Sequence, residues 1–217
     1  MRLVAMSDTH GYHKRLTVPD GDFLIHVGDF SMRANRPQVC EFSRWFKALP
    51  HKHKIIVAGN HDVCLDGDRS WAQEEFAPAH YLSHEAATIG GLKIFGSPYS
   101  SSIFEPSPWA FDYDPTGPRS EALWSIIPKN LDILITHGPP KGVLDYVVMA
   151  NEGEEPHVGD VNLLYYVKQT KPKVHLFGHI HEGYGAYQPR WSTTKFYNVS
   201  VCNLSYKPVN PITVFDL

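Results

Sequence analysis

Short, nearly continuous apolar runs mark the first sixty residues, and each of them leads straight into a polar loop. The runs occupy residues 3–6, 23–27 and 54–58, and the loops that follow begin with Ser-Asp, Gly-Asp and Gly-Asn. Apolar runs of four or five residues without alternation are typical of strands that are buried on both faces. We therefore predict three buried strands, each with polar side chains at its carboxyl end.

The segment between the second and third runs has helical periodicity instead. Asn35 can cap a helix, Pro37 suits its first turn, and Pro50 ends it. Apolar side chains recur there at steps of three and four residues, at Val39, Phe42, Trp45, Phe46 and Leu49. The order strand, strand, helix, strand favours a layered α/β fold with a partly parallel sheet.

The remainder of the chain continues this alternation. Gly90-Gly91 lies between apolar segments at 87–89 and 92–95, and this predicts a hairpin because glycine tolerates the positive φ of a tight turn. A helix is predicted at 161–170. Further strands are predicted at 133–136, 174–177, 196–201 and 212–215.

One stretch breaks the pattern. Residues 97–120 interleave five prolines with five aromatic side chains, and acidic residues at 152–155 form a second polar segment. Long loops in compact domains are usually functional or disordered, and the aromatic content favours a packed flap or an oligomer contact over a linker. The acidic segment is expected to be a solvated loop, since its charge has the wrong sign for a phosphate contact.

Composition narrows the class of protein. The 217 residues are 42% hydrophobic and 20% charged, which is typical of one sizeable globular domain spanning residues 1–217. A net charge of −3 argues against stable binding of long nucleic acid or of an anionic membrane. The anomaly is histidine, with 13 residues against three cysteines. Abundant imidazole indicates local chemistry at a metal.

The cysteines and the apolar runs indicate the compartment. Cys40, Cys64 and Cys202 are widely spaced and odd in number, so they predict neither a disulfide framework nor a metal knuckle. No apolar run approaches the roughly 18 residues needed to span a bilayer. We expect a cytoplasmic protein without a membrane partner. The sequence is compatible with a homo-oligomer and does not fix the oligomeric state.

Metal-capable side chains follow five of the predicted strands. Their motifs are Asp-x-His, Gly-Asp, Gly-Asn-His-Asp, Thr-His-Gly and Gly-His-x-His. Asp-x-His and Gly-Asp are common after a strand when taken alone, whereas few structural roles explain Gly-Asn-His-Asp or Gly-His-x-His. Because the carboxyl ends of strands in an open α/β sheet share one edge, the five motifs should converge. The converging ligand candidates are Asp8, His10, Asp29, Asn60, His137, His179 and His181. Seven are too many for one open site, so we predict two divalent transition metal ions with Asp29 as the bridge.

The chemistry of these ligands restricts the metal. Carboxylate, amide and imidazole groups without thiolate suit Mn²⁺, Fe or Zn²⁺ at a hydrolytic centre better than a structural zinc. Mn²⁺ is the first expectation, with Fe and Zn²⁺ as alternatives. A metal pair of this kind can activate water, which predicts a hydrolytic reaction.

The five motifs, in this order, resemble the calcineurin-like metallophosphoesterase superfamily. Four segments are similar more narrowly to the MPPED (metallophosphoesterase domain-containing) phosphodiesterases: Ser-Asp-Thr-His at 7–10, His-Val-Gly-Asp-Phe at 26–30, Ile-Thr-His-Gly-Pro-Pro at 135–140 and Phe-Gly-His-Ile-His-Glu-Gly-Tyr-Gly at 177–185. The likeness continues to Asn198 and to Asn-Pro at 210–211. Two features depart from it: Asp62 replaces the usual glutamate, and residues 97–120 match no part of the group.

The resemblance implies a fold and a division of the ligands. The fold would be α/β, a four-layer α/β/β/α sandwich of two mixed β-sheets with the metals at one edge. The first metal would take Asp8, His10, Asp29 and His181. The second would take Asp29, Asn60, His137 and His179.

The resemblance also implies an activity. The chain would be a dinuclear metal-dependent phosphodiesterase that hydrolyses small phosphodiesters, such as 2′,3′- or 3′,5′-cyclic nucleotides, by direct attack of a metal-bridging hydroxide. His61 would protonate the leaving oxygen, and Asp62 would orient His61. Two alternatives stay open. One is a phosphomonoesterase or protein phosphatase, which the lack of an arginine pair near the motifs disfavours; the other is a catalytically weak metal-bound scaffold that binds a partner protein.

Overall fold

The computed structural model describes residues 1–102, 108–148 and 156–217. Part of the aromatic-rich stretch, at 103–107, and the acidic segment at 152–155 therefore lie outside the described residues. In the described parts of the chain, the helices are too short or too polar to cross a bilayer.

The described residues form two large sheets and a small strand pair. The strands are β1 (Arg2–Met6), β2 (Phe23–Val27), β3 (His53–Val57), β4 (His80–Tyr81), β5 (Glu85–Ile89), β6 (Leu92–Ser97), β7 (Ser100–Ser101), β8 (Asp112–Tyr113), β9 (Ile133–Thr136), β10 (Val174–Phe177), β11 (Gly185–Tyr187), β12 (Lys195–Asn198) and β13 (Thr213–Asp216). The helices are α1 (Arg36–Ala48), α2 (Arg69–Phe76), α3 (Pro118–Ser125) and α4 (Val161–Thr170).

Both large sheets are mixed. The first has the order β13-β1-β2-β3-β4, in which β1 to β4 run parallel and β13 is antiparallel to β1. The second has the order β11-β12-β10-β9-β6-β5, with a parallel centre and an antiparallel strand at each edge. Since neighbouring parallel strands end at the same edge, the motifs that follow β1, β2 and β3 emerge side by side.

Three apolar clusters separate the layers. The first lies between the first sheet and helices α1 and α2, the second lies between the two sheets, and the third lies between the second sheet and helices α3 and α4. Side chains of β2 alternate between the first two clusters, with Leu24 facing the helices and Phe23 and Ile25 facing the other sheet. Period-two alternation within an all-apolar strand places it inside a sandwich. The four-layer α/β/β/α prediction is thus confirmed.

Helix α1 begins as its sequence predicts. The Asn35 side chain accepts a hydrogen bond from the Gln38 amide at 3.0 Å, and the Gln38 side chain accepts one from the Asn35 amide at 3.1 Å. This reciprocal capping box satisfies amide groups that the first turn leaves without partners. Phe42 and Phe46 are buried on its inner face, and they fix the helix over the first sheet.

The stretch 97–120 is more structured than a loop. Its described part contains the β7–β8 pair and the start of α3 at Pro118, so the prediction of a long loop is wrong in part. Pro118 occupies the first position of α3, and proline suits that position as well as it suits a loop. Phe111 and Tyr113 are buried, and the Tyr113 hydroxyl donates to the Asp160 carboxylate at 2.8 Å. These described residues pack against the body of the protein, as the aromatic content predicts.

Residues 199–201, which the sequence places in one strand with 196–198, instead join the two sheets. Ser7 pairs with Ser200 in an isolated parallel bridge. The Ser7 amide donates to the Val199 carbonyl, and the Val201 amide donates to the Ser7 carbonyl, each at 2.9 Å. The bridge brings the end of β1 beside the segment that follows β12.

Candidate dinuclear metal centre

All seven predicted ligands meet at one edge of the sandwich. They follow β1, β2 and β3 of the first sheet and β9 and β10 of the second. Asp8, His10, Asp29 and His179 have φ values between 41° and 67°. Left-handed backbone is uncommon for residues other than glycine, and it is found mainly where a functional site requires it. Here it turns four side chains sharply out of their strands into one cluster.

The first group of side chains consists of Asp8, His10 and His181. Nε2 of His181 lies 3.5 Å from Oδ1 of Asp8 and 3.2 Å from Nε2 of His10. The other carboxylate oxygen of Asp8 accepts a hydrogen bond from the Ser200 hydroxyl at 2.7 Å. Asp8 therefore presents one oxygen to the group, while Ser200 holds the other.

The second group consists of Asn60, His137 and His179. Oδ1 of Asn60 lies 3.0 Å from Nε2 of His137 and 3.1 Å from Nδ1 of His179. His137 is fully buried, and Asn60 is nearly so. The two groups match the two ligand sets that the resemblance implies.

Asp29 lies between the groups. Its Oδ2 is 4.0 Å from Nε2 of His10 and 3.4 Å from Nε2 of His137. Its Oδ1 accepts a hydrogen bond from the His61 amide at 2.8 Å. One carboxylate oxygen thus faces both groups, which is the geometry that a bridging ligand requires.

The motif glycines are required for this close approach. A Cβ atom at Gly59 would lie 2.3 Å from Oδ1 of Asp29, and one at Gly178 would lie 2.3 Å from Oδ2 of Asp8. Both carboxylates are braced by hydrogen bonds and cannot withdraw. Any larger residue at these two positions would displace a predicted ligand.

Backbone carbonyl groups orient three of the imidazole rings. Nδ1 of His10, His137 and His181 lies 3.2, 2.9 and 3.0 Å from the carbonyl oxygens of Ser31, Val27 and Asn203, respectively. A carbonyl accepts only from N–H, so Nδ1 carries the proton and Nε2 of the neutral ring presents its lone pair. The lone pairs of His10 and His181 then point at each other across 3.2 Å. A proton on one of the two rings relieves this opposition in the metal-free protein, and a divalent metal, which this donor set fits, would replace that proton.

The charges of the site are balanced within it. Burial alone would raise the pKa of Asp8, but the His181 hydrogen bond and the nearby imidazoles hold it well below its usual range. Burial would likewise lower the pKa of His137, but the adjacent Asp29 carboxylate raises it to about 10. Protons on imidazole compensate the carboxylates in the metal-free protein, and metal binding must release them.

His61 lies beside the groups, and its orientation differs from the prediction. A nitrogen of His61, a nitrogen of His10 and a carboxylate oxygen of Asp29 all lie within 4.8 Å of one another. Nδ1 of His61 is 2.6 Å from the Met32 carbonyl oxygen, and the ring stacks on Trp109 with centroids 4.2 Å apart. Met32 and Trp109, and not Asp62, therefore orient His61.

Asp62 performs a different task. Its Oδ2 accepts hydrogen bonds from the amides of Gly59 and Asp29, each at 2.9 Å. The prediction that Asp62 orients His61 is wrong because the strand-end turn directs this carboxylate inward, to the backbone. Burial, together with repulsion from the Asp29 carboxylate, raises the pKa of Asp62 well above its usual value. Asp62 fixes the turn that carries Asp29, the predicted bridging ligand.

Several residues that surround the predicted ligands belong to none of the five sequence motifs. Tyr206 packs edge-on against His10, with ring centroids 4.8 Å apart, and Trp109 reaches His61 from the stretch 97–120. The Asn198 side chain donates to the Ile180 carbonyl at 2.7 Å and accepts from the Ser200 amide at 3.1 Å. Of these residues, only Asn198 could be noted from the sequence, because it belongs to the family resemblance.

Two cavities open on the centre, and both are lined by Asn60 and His179. The first, the Trp109 cavity, is also lined by Ser101, Ser102, Trp109, Asp112 and Val158. The second, the Tyr206 cavity, is also lined by Asp29, His61, His181, Glu182, Leu204 and Tyr206. A molecule held at Asn60 and His179 can therefore extend in two directions.

The chain is similar in sequence and in fold to known proteins. Residues 1–183 match the family described as calcineurin-like phosphoesterase. Metallophosphoesterase domain-containing protein 1 of Homo sapiens is 37% identical over 243 aligned residues, which cover 100% of this chain and 71% of that protein. A UPF0046 protein of Caenorhabditis elegans is 33% identical, with 94% of this chain and 70% of that protein covered.

A solved structure extends the comparison of the fold. The phosphopantetheinyl hydrolase PptH of Mycobacterium tuberculosis superposes with a TM-score of 0.58 at 15% identity, over 97% of this chain and 95% of that one. Identity this low shows the shared fold alone. The family match over residues 1–183 and the human relative, which aligns with the whole of this chain, show that this chain belongs to the calcineurin-like phosphoesterases, a family of metal-dependent phosphoric ester hydrolases.

Proposed function

We propose that the protein is a phosphodiesterase for small substrates. The observation that carries the proposal is the pair of cavities that meet at Asn60 and His179. A diester has two ester substituents on phosphorus, and each would occupy one of the two cavities. A monoester would leave one cavity unused.

The charges of the cavity walls support the same choice. Among the described residues that line the two cavities, none is Lys or Arg. A phosphomonoester dianion is usually held by arginine in addition to metal. The Arg33 guanidinium lies 5.5 Å from the centre of the Trp109 ring, and the Arg33 side chain is exposed. A diester carries a single negative charge and requires less compensation.

The side chains suggest how the reaction is assisted. Bound divalent metals supply an activated water and neutralise charge on the phosphoryl oxygens. One ion would be held by Asp8, His10, Asp29 and His181. The other would be held by Asn60, His137 and His179 together with the same Asp29. His61 donates a hydrogen bond from Nδ1 to the Met32 carbonyl, so its Nε2 is the atom that would pass a proton to the leaving oxygen.

The size of the cavities bears on the substrate. Their volumes are about 210 and 190 Å³, and a protein cavity of about 150 Å³ accommodates benzene. Each therefore fits one ring with its substituents. A linear diester would place one arm in each, and a 2′,3′- or 3′,5′-cyclic nucleotide would place its sugar at the metals and its base in one cavity.

A substrate panel tests the proposal. Mn²⁺-loaded protein is assayed with matched aryl diesters, aryl monoesters and the two classes of cyclic nucleotide, with chelator-treated protein and Asp29→Asn as controls. We expect kcat/KM for diesters to exceed that for monoesters, with no turnover in either control. A preference for monoesters would assign the chain to the phosphomonoesterases. Two bound metals without turnover of any ester would favour the scaffold.

A further inference from the structure

We infer that the aromatic ring of Tyr206 recognises the leaving arm of the substrate, and that it favours a flat, aromatic arm over a saturated one. The inference rests on the proposed phosphodiesterase activity and extends it to the group that departs from phosphorus. Tyr206 lies outside the five sequence motifs and is none of the predicted ligands.

The backbone at Tyr206 is held in an unusual conformation. Its φ is 53°, and left-handed backbone is uncommon for a bulky side chain. The Asn203 side chain closes the loop by accepting hydrogen bonds from the amides of Ser205 at 3.0 Å and Lys207 at 3.1 Å. The Tyr206 amide donates to the Asn203 carbonyl at 2.8 Å, and the same carbonyl orients His181. Strain that surrounding contacts maintain in this way is found mainly at functional sites.

The Tyr206 ring lies beside the first group of predicted ligands. Its centroid is 4.8 Å from that of His10, 5.3 Å from that of His181 and 6.3 Å from that of His61. The side chain is only half-buried, and it lines the Tyr206 cavity together with His61 and Leu204. Leu204 is 48% exposed. Tyr206 and Leu204 therefore present apolar surface to a group that enters the cavity beside His61.

The position of His61 identifies the arm that meets this surface. Of the two cavities, His61 lines the Tyr206 cavity and is not among the described residues that line the other. The ester oxygen that receives its proton therefore lies on the Tyr206 side, and the arm that leaves with this oxygen occupies the Tyr206 cavity. An aromatic arm gains an edge-to-face or offset-stacked contact with the Tyr206 ring, which a saturated arm of the same size does not.

The experiment compares two leaving arms whose parent alcohols have similar acidity, one aromatic and one not. Metal-loaded protein is assayed with 4-chlorophenyl methyl phosphate and with hexafluoroisopropyl methyl phosphate, so that the retained arm is the same methyl group. An aromatic pair changes an equilibrium by about 2- to 13-fold beyond the area it buries. We expect Tyr206→Leu to lower the ratio of kcat/KM, aromatic over fluoroalkyl, by this factor. Tyr206→Phe should keep the parent's ratio because it retains the ring.

The ratio separates recognition from a structural effect. If Tyr206 only supported His10 and His181, its loss would slow both esters by the same factor and leave the ratio unchanged. Tyr165→Leu alters an exposed tyrosine of α4 that lines neither cavity, and it should keep the parent's ratio. Rates are referred to the metal-loaded fraction of each variant, measured by elemental analysis.

A binding measurement does not depend on turnover. O-methyl phenylphosphonate and O-methyl cyclohexylphosphonate carry six-membered rings on a P–C bond, which is not hydrolysed. Calorimetry on the parent should give the phenyl compound a dissociation constant about 2- to 13-fold below that of the cyclohexyl compound. This preference should be kept in Tyr206→Phe and lost in Tyr206→Leu.

The outcomes separate the two proposals. An unchanged ratio in Tyr206→Leu, or a phenyl preference that is lost in Trp109→Leu but kept in Tyr206→Leu, would overturn the inference and leave the phosphodiesterase standing. If neither diester is hydrolysed but the phenylphosphonate is preferred and the preference is lost in Tyr206→Leu, the proposed activity fails and the aromatic site is supported.

Discussion

The stack of Trp109 on His61 makes a quantitative prediction about catalysis. The rings lie 4.2 Å apart at 27°, and the Met32 carbonyl fixes the far edge of the imidazole at Nδ1. Trp109→Ala removes one of these two constraints and leaves the other. Trp109→Phe keeps an aromatic face and serves as the conservative variant.

The size of the effect follows from the energy of the stack. Aromatic pairs contribute about 0.5–1.5 kcal/mol beyond the area they bury. If that energy holds His61 in its productive orientation, losing it slows proton transfer by about 2- to 13-fold. Trp109→Phe should recover most of the rate. In a His61→Ala background, Trp109→Ala should have no further effect on kcat, because the ring it positions is gone.

The assay is a double-mutant cycle on kcat. Phenyl methyl phosphate is the substrate, since phenolate is basic enough to need a proton and a methyl group is too small to fill the Trp109 cavity. A loss in kcat of the same size in both backgrounds would refute the positioning role and leave Trp109 as a wall of the cavity.

Three further predictions concern the metals, the acid and a buried histidine. Asp29→Asn should lower metal content more than any other single change at a predicted ligand, and elemental analysis that finds equal occupancy would rule out the bridge. His61→Ala should slow alkyl diesters by about 10²–10⁴-fold and nitrophenyl diesters far less, whereas a uniform loss would indicate an electrostatic contact. Burial lowers the pKa of His175 to about 3, against about 6.5 unfolded. Because the pKa is depressed in the folded protein, only the unfolded chain binds this proton between about pH 6.5 and pH 3. The free energy of unfolding is therefore unaffected by His175 above pH 6.5 and decreases as the pH falls below that value. When the pH is lowered from 7 to 5, the free energy of unfolding measured with urea should therefore fall by about 2 kcal/mol less in His175→Gln than in the parent.

The sequence alone predicted most of the long strands and the candidate ligands. An apolar run of four or five residues that ends in a polar loop is typical of a strand buried within layers, and β2, β9 and β10 begin and end where the pattern predicts. The ligands were visible because few structural roles explain Asn or paired His directly after a strand. Each of these features is local, so a linear sequence records it.

The features that the sequence did not reveal depend on distant segments. Helix α2 is eight residues long and weakly amphipathic, and α3 begins with a proline that also suits a loop. The direction of the Asp62 carboxylate depends on the turn in which it lies, and its partners Gly59 and Asp29 come from two different strand ends.

The surroundings of the metals were decided by tertiary structure for the same reason. Trp109 reaches His61 because the Ala110 amide bonds the Asn60 carbonyl, and Tyr206 reaches His10 because its loop folds back over the first group. An aromatic residue has the same local pattern whether it fills a core or borders a substrate cavity. Only the packing of segments far apart in the chain distinguishes the two, because the contact energy depends on which surfaces meet.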